Sequence, residues 1–80
     1  MSDILETIIR IISKETRCVE SDLTLDSAVG DVPGWDSLGN VRVIAAVEDH
    51  FKLTFTVEET LEIESVEDFV DILRDRGIDA

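Results

Sequence analysis

The sequence has a single cysteine, a single histidine, a single proline and no tyrosine among its 80 residues. The lone cysteine, Cys18, excludes an internal disulfide and fits a reducing compartment. One cysteine and one histidine cannot build a structural zinc centre, and no metal site is expected. No apolar run approaches membrane-spanning length, and no basic segment precedes a short apolar one, so a cytoplasmic protein without membrane association is expected.

Basic residues are also scarce, since seven lysines and arginines stand against 19 acids and the net charge is −12. Nucleic acid is not an expected ligand, because binding it requires cations that neutralise phosphates. Acids concentrate between positions 48 and 71, where nine of them accompany the single base Lys52. Such a field favours protein partners with basic surfaces. The length allows one small core, so we expect one domain over residues 1–80, as a monomer.

A first helix is predicted from about Asp3 to Thr16, because apolar residues recur there at three- and four-residue spacing. Ser2 or Asp3 suits its N-cap, and Glu6 completes a capping-box pattern with Asp3. The following stretch, residues 17–35, has no sustained period and is rich in Ser, Thr, Asp and Gly. It is predicted to be a long, ordered loop held to the core by three apolar side chains, Leu23, Leu25 and Val29.

A second helix is predicted to begin at Asp36 or Ser37 and to end near Phe51. Its apolar residues favour one inward face, and its small and charged residues favour the opposite one. The expected inward face comprises Leu38, Val41, Ile44, Ala45, Val47 and Phe51, and the outward face comprises Gly39, Arg42, Ala46 and Asp49.

The remaining sequence predicts two shorter helices. The stretch after the second helix alternates apolar and polar residues as a strand does, but no second strand is available to pair with it, so a loop is predicted. Thr56 and Glu59 form a capping-box pattern that opens a short helix near residues 57–61. Ser65 with Asp68 caps a last helix whose expected end is Gly77. The predicted fold class is all-α, a four-helix bundle with a long ordered loop between helices one and two and a short third helix.

Ser37 lies where the long loop meets the second helix, within the run Pro33-Gly34-Trp35-Asp36-Ser37-Leu38-Gly39. The unpaired N–H groups and the positive dipole end of a helix's first turn favour a phosphate at such a place. The alternative is that Asp36 or Ser37 serves only as an N-cap, because both residue types are common caps. A hydrolytic role is not expected, because His50 lies on the same helix roughly 20 Å away.

The triplet Asp36-Ser37-Leu38 in this setting resembles the attachment site of acyl carrier proteins. The resemblance extends over nearly the whole chain. It includes Glu48 and Phe51 near the end of the second helix, the short acidic third helix and the closing segment Ile63-Glu64-Ser65-Val66.

The resemblance implies a carrier function and no catalysis by the domain itself. Ser37 would carry a 4′-phosphopantetheine arm, attached from coenzyme A by a phosphopantetheinyl transferase with a divalent metal. Asp36 would help to position the metal or the enzyme, and Leu38 would lie beside the arm. The terminal thiol would hold acyl groups as thioesters, exchanged with enzymes that have basic docking surfaces. In this family an acyl chain can lie between the helices, and the residues expected to line that interior are Ile8, Ile11, Val41, Ile44, Val47, Phe51 and Phe69.

The recognition face that the resemblance carries over comprises Asp36, Gly39, Arg42, Ala45, Ala46, Glu48, Asp49, Glu58 and Glu59. Fatty-acid carriers commonly have acids at the positions of Gly39 and Arg42. A docking surface made for an acidic stripe would meet like charge at Arg42, so a dedicated biosynthetic pathway is expected rather than bulk fatty-acid elongation. Two alternatives stay open. One is an aminoacyl carrier of the peptidyl or D-alanyl type, and the aspartate before Ser37 favours the acyl type over the usual peptidyl pattern. The other is an unmodified acidic helical module that docks on a basic partner.

Overall fold

The computed structural model describes residues 3–78, and these residues form four α-helices. The helices are α1 (Asp3–Thr16), α2 (Ser37–Phe51), α3 (Val57–Glu62) and α4 (Val66–Asp75). A 3₁₀ turn, Glu20–Asp22, lies in the long segment between α1 and α2. These elements confirm the predicted all-α fold with its short third helix. The N-cap predicted at Ser2 or Asp3 lies outside the residues whose side chains the structure describes.

The core forms where α1 packs against α2 and α4. Ile4, Ile8 and Ile12 recur at four-residue steps, so they share one face of α1, and all three are buried. Each such side chain removed from water stabilises the fold by about 1.5–3 kcal/mol. The buried residues that α4 contributes are Val66, Phe69, Val70 and Leu73. Among the described helices, none combines the length and the apolar character needed to cross a membrane.

The inward face of α2 differs from the predicted one. Its buried residues are Gly39, Asn40, Val43 and Val47. Leu38 and Val41 are 68% and 61% exposed, and Ala45 is exposed as well. The prediction that these three residues face inward is therefore wrong. Asn40 takes the inward position because its side chain hydrogen-bonds to Trp35, which is buried just before the helix begins.

Backbone hydrogen bonds tie the segment between α1 and α2 to the connection between α3 and α4. The Val29 N–H donates to the Glu64 carbonyl oxygen at 2.8 Å. Of the three predicted apolar anchors of this segment, Leu23 is buried and Val29 is half-buried. Leu25 is 38% exposed, so its prediction as an anchor is wrong.

Both of the later helices begin at the caps that the sequence predicts. At α3 the Glu59 N–H donates to Thr56 Oγ1 (3.0 Å), and the Thr56 N–H donates to a Glu59 carboxylate oxygen (2.8 Å). At α4 the Asp68 N–H donates to Ser65 Oγ (3.1 Å), and Gly77, at a φ of +83°, follows the helix end. Each cap satisfies an N–H group that the first turn leaves unpaired, and this fixes where the helix starts.

The short α3 buries none of its residues. Its first turn is held by an ion pair between Glu59 and Arg76, the residue that follows α4. Arg76 donates to both carboxylate oxygens of Glu59, and its guanidinium lies 5.5 Å from the centre of the Phe55 ring. The side-chain hydrogen bond from Arg76 is the main reason that the pKa of Glu59 lies below its ordinary value of 4.5. The backbone N–H of Thr56 acts in the same direction.

We expect the Glu59–Arg76 ion pair to make stability sensitive to acid. Because folding lowers the pKa of Glu59, its contribution is complete above pH 4.5 and is lost as the pH falls below that value. Glu59→Gln retains a residue suited to the capping box. Its melting temperature should lie below that of the wild type at neutral pH and converge with it in strong acid. Glu58→Gln, on the same helix turn, is the control, and an equal pH-dependent difference in that variant would contradict the assignment.

Candidate functional site

Ser37 is the first residue of α2, and its side chain is exposed. The N-cap of the helix is Asp36, whose Oδ1 accepts a hydrogen bond from the Gly39 N–H at 2.7 Å. Since the neighbouring residue takes the capping position, the Ser37 hydroxyl has no hydrogen-bond partner among the described residues. The alternative in which Ser37 itself caps the helix is wrong, and the cap at Asp36 is confirmed.

Two glycines let the loop before Ser37 pack directly against the ends of α1 and α2. A Cβ atom on Gly39 would overlap the carbonyl oxygen of Gly34. Gly34 has a φ of +88°, and a Cβ atom there would lie 2.5 Å from the carbonyl oxygen of Thr16. The backbone of the loop therefore touches both helices, which fixes the chain three residues before Ser37.

Trp35 and Asn40 form a buried polar link behind Ser37. The indole Nε1–H of Trp35 donates to Asn40 Oδ1 at 3.0 Å, and Asn40 Nδ2 donates to the Ile63 carbonyl oxygen at 3.0 Å. Trp35 is fully buried and Asn40 is 8% exposed. Neither residue is among the site residues that the sequence predicts. The available signal was a tryptophan in a polar loop, because a ring of that size usually enters the core and its N–H then needs an acceptor.

A groove of about 600 Å³ opens beside Ser37 between α2 and α3. Its apolar walls are formed by Val41 and Ile44 of α2 and by Leu61 of α3. Asn40 and Ile63 also line it and are both buried, so they form its floor. The groove is thus a largely apolar depression that has Ser37 among its lining residues.

The residues predicted to line an interior cargo site do not lie together. Val41 and Ile44 line the groove. Ile11 lines a separate cleft between α1 and α2, and Phe51 is half-buried. The other three, Ile8, Val47 and Phe69, are packed in the core with no exposed surface. The set does not form one continuous lining, because the two sides of α2 carry different members of it.

The nine residues predicted for the recognition face do not form one exposed surface. Gly39 is buried beneath the preceding loop, so its place on that face is wrong. Glu48 accepts a hydrogen bond from the Phe55 N–H at 2.8 Å, and Glu59 is held by Arg76. The exposed members are Asp36, Arg42, Ala45, Asp49 and Glu58, and Ala46 is half-buried.

His50 lies near the opposite end of α2 from Ser37, with its ring centre 4.8 Å from that of Phe51. At the rise of an α-helix the two residues are roughly 20 Å apart, so His50 cannot act as a base for the Ser37 hydroxyl. The described residues hold no group of three or more His, Cys, Asp or Glu side chains arranged to bind a metal ion.

We expect Gly39→Ala to destabilise the protein. Helix propensity alone favours alanine by about 0.8–1.0 kcal/mol, but the added Cβ atom would overlap the Gly34 carbonyl oxygen. Overpacking of this kind should lower the free energy of unfolding by about 1–3 kcal/mol, measured by urea denaturation. Ala45→Gly, at an exposed position of α2, is the reference for propensity and should cost about 1 kcal/mol. A gain in stability for Gly39→Ala would contradict the close approach of the loop.

Comparison with protein families agrees with this geometry. Residues 6–73 match the family model described as a phosphopantetheine attachment site. Domains of this family bear 4′-phosphopantetheine as a covalent group and act as non-catalytic carriers that meet a phosphopantetheinyl transferase and further partner enzymes. The resemblance to acyl carrier proteins is confirmed at the level of the family. Because the match covers most of the four-helix bundle, including the start of α2, this chain belongs to the family of phosphopantetheine attachment domains.

Proposed function

We propose that this protein is an acyl carrier whose Ser37 bears the 4′-phosphopantetheine group. The supporting observation is an exposed Ser37 hydroxyl at the start of a 15-residue helix, free because Asp36 caps that helix instead. The helix N-terminus favours the negative charge of a phosphate ester on this oxygen. The residues present therefore fit the group, and the aspartate before the serine favours an acyl carrier over the usual peptidyl pattern.

The residues around Ser37 have separate roles in this proposal. Asp36 accepts the Gly39 N–H through Oδ1, which leaves Oδ2 to approach the divalent metal of the transferase. Leu38, exposed beside the serine, offers an apolar contact to the enzyme that reaches the hydroxyl. When bound, the cofactor supplies the thiol that holds the acyl group as a thioester. The protein supplies the attachment oxygen, a docking surface and shelter for the cargo.

The groove between α2 and α3 is the proposed binding site of the cargo. It reaches Ser37, and its walls at Val41, Ile44 and Leu61 are apolar. Apolar groups of the cargo that lie against these side chains leave water, which favours a position along the groove. The cargo would thus lie between two helices, as the resemblance implies, but at the surface of the bundle and not inside it.

Arg42 is the proposed reason that this carrier serves a dedicated pathway. It is exposed on α2 and makes no ion pair within the described residues. Gly39 no longer supports the argument, because the packing against Gly34 explains the missing side chain. A partner surface built from cations alone would meet like charge at Arg42, whereas a cognate partner presents an acid or a neutral group there.

The attachment site is tested by intact mass after incubation with coenzyme A and a broad-specificity phosphopantetheinyl transferase. The wild type should gain one phosphopantetheine, and Ser37→Ala should gain none while losing little stability, because Asp36 caps the helix. Ser65→Ala is the matched control. It removes the cap of α4 and should cost about 1 kcal/mol of stability while leaving the modification intact. An unmodified wild type, or an equal gain on Ser37→Ala, would refute the carrier proposal.

The role of Arg42 is tested by loading the phosphopantetheine-bearing protein with a malonyl transferase from fatty-acid synthesis. Arg42→Glu should raise kcat/KM by roughly threefold to tenfold, the effect of one contact at the edge of an interface. Arg10→Glu makes the same charge change on the exposed side of α1 and should have little effect. Equal and efficient loading of the wild type and Arg42→Glu would remove the case for a dedicated pathway.

A further inference from the structure

We infer that Trp35 and Asn40 form a closed floor that confines the cargo to the groove, outside the core. This inference rests on the proposed function, because it assumes that the cargo is linked to Ser37. It concerns the position of the acyl chain in the protein and not its attachment to Ser37.

The first support is the bonding of Asn40, which lines the groove and is also buried. Its side-chain oxygen accepts from Trp35 Nε1–H, and its side-chain nitrogen donates to the Ile63 carbonyl oxygen, each at 3.0 Å. A chain passing inward between α2 and Ile63 would separate these partners. It would leave the indole N–H and the Ile63 carbonyl oxygen without hydrogen bonds in an apolar surrounding, which is unfavourable.

The second support is the packing behind this floor. Trp35 is the bulkiest of the fully buried side chains among the described residues. The core also contains Val43, Val47 and Phe69 with no exposed surface. Because protein cores are close-packed, an inserted acyl chain would have to displace these side chains rather than fill free space.

The third support is the fixation of the far side of the groove. The Val29 N–H donates to the Glu64 carbonyl oxygen at 2.8 Å, and the Val66 N–H donates to the Ser27 carbonyl oxygen at 3.0 Å. Both bonds involve residues just after Ile63. The backbone that accepts the Asn40 hydrogen bond is therefore held in place itself. Retreat of Ile63 from Asn40 would break them as well.

The consequence for the cargo is a position along the groove. Its apolar groups can lie against Val41, Ile44 and Leu61, while the hydrogen bonds of Asn40 keep them from the core behind it. Trp35 and Asn40 thus determine how deeply the cargo lies.

Trp35 provides the probe for this inference, because it is the only tryptophan in the chain. The protein is loaded on Ser37 from butanoyl, dodecanoyl and terminally brominated dodecanoyl coenzyme A by a broad-specificity transferase, and intact mass verifies each product. Bromine quenches indole fluorescence on contact. In the wild type the emission of Trp35 should be the same with brominated and unbrominated chains. Quenching by the brominated chain in the wild type would overturn the inference.

Asn40→Ala removes the floor and should convert the loaded protein to one in which the brominated dodecanoyl chain quenches most of the Trp35 emission. Thr60→Ala is the matched control. It alters another residue of the groove, whose hydroxyl donates to the Val57 carbonyl oxygen of its own helix, and it should leave the emission unquenched. If a folded Asn40→Ala shows no quenching, the floor is not Asn40. If that variant does not fold, the wild-type result decides. Failure to load any chain on Ser37 would instead refute the proposed function.

Discussion

The hydrogen bonds of the Asn40 side chain join the three parts of the structure on which the site depends. One bond holds Trp35 of the loop before α2, and the other holds the Ile63 carbonyl oxygen between α3 and α4. The indole fills the core while its N–H remains satisfied, so the loop can bring polar residues to the surface immediately after a buried tryptophan. This link connects the entry to α2 with the floor of the groove, and the glycine contacts before α2 and the backbone bonds next to Ile63 hold each of the two in addition.

The surface next to Ser37 follows from this anchored loop. Gly34 and Gly39 allow the loop backbone to approach α2 without a side chain between them, and Asp36 satisfies the N–H of Gly39. The serine is consequently left with an exposed hydroxyl and no structural duty. Because Asp36 caps the helix and Ser37 does not, a fixed helix start and an accessible oxygen occur at adjacent positions. It also separates stability, which depends on Asp36 and the glycines, from attachment, which depends on Ser37.

Sequence patterns predicted the helices well because the signals that start a helix are local. Thr56 with Glu59, and Ser65 with Asp68, lie within one turn of each other, and both pairs form the predicted bonds. The rotation of α2 was predicted wrongly, because a carrier site exposes apolar residues such as Leu38 and Val41 that periodicity places inside. The link between Asn40 and Ile63 joins residues 23 positions apart, and no pattern along the chain indicates it. From the sequence alone, Gly39 occupies a position where fatty-acid carriers commonly have an acid. Its contact with the Gly34 backbone instead shows that glycine is needed there for packing.

The proposed function depends on the Ser37 hydroxyl, at the start of α2, carrying the cofactor in the cell. The most direct measurement is peptide mapping by mass spectrometry of the protein isolated from the cells that make it. We expect a phosphopantetheine ester on the peptide that contains Ser37, and on no other serine. A Ser37 peptide that is always unmodified in cells with an active transferase, or a phosphopantetheine found on a different residue, would contradict it.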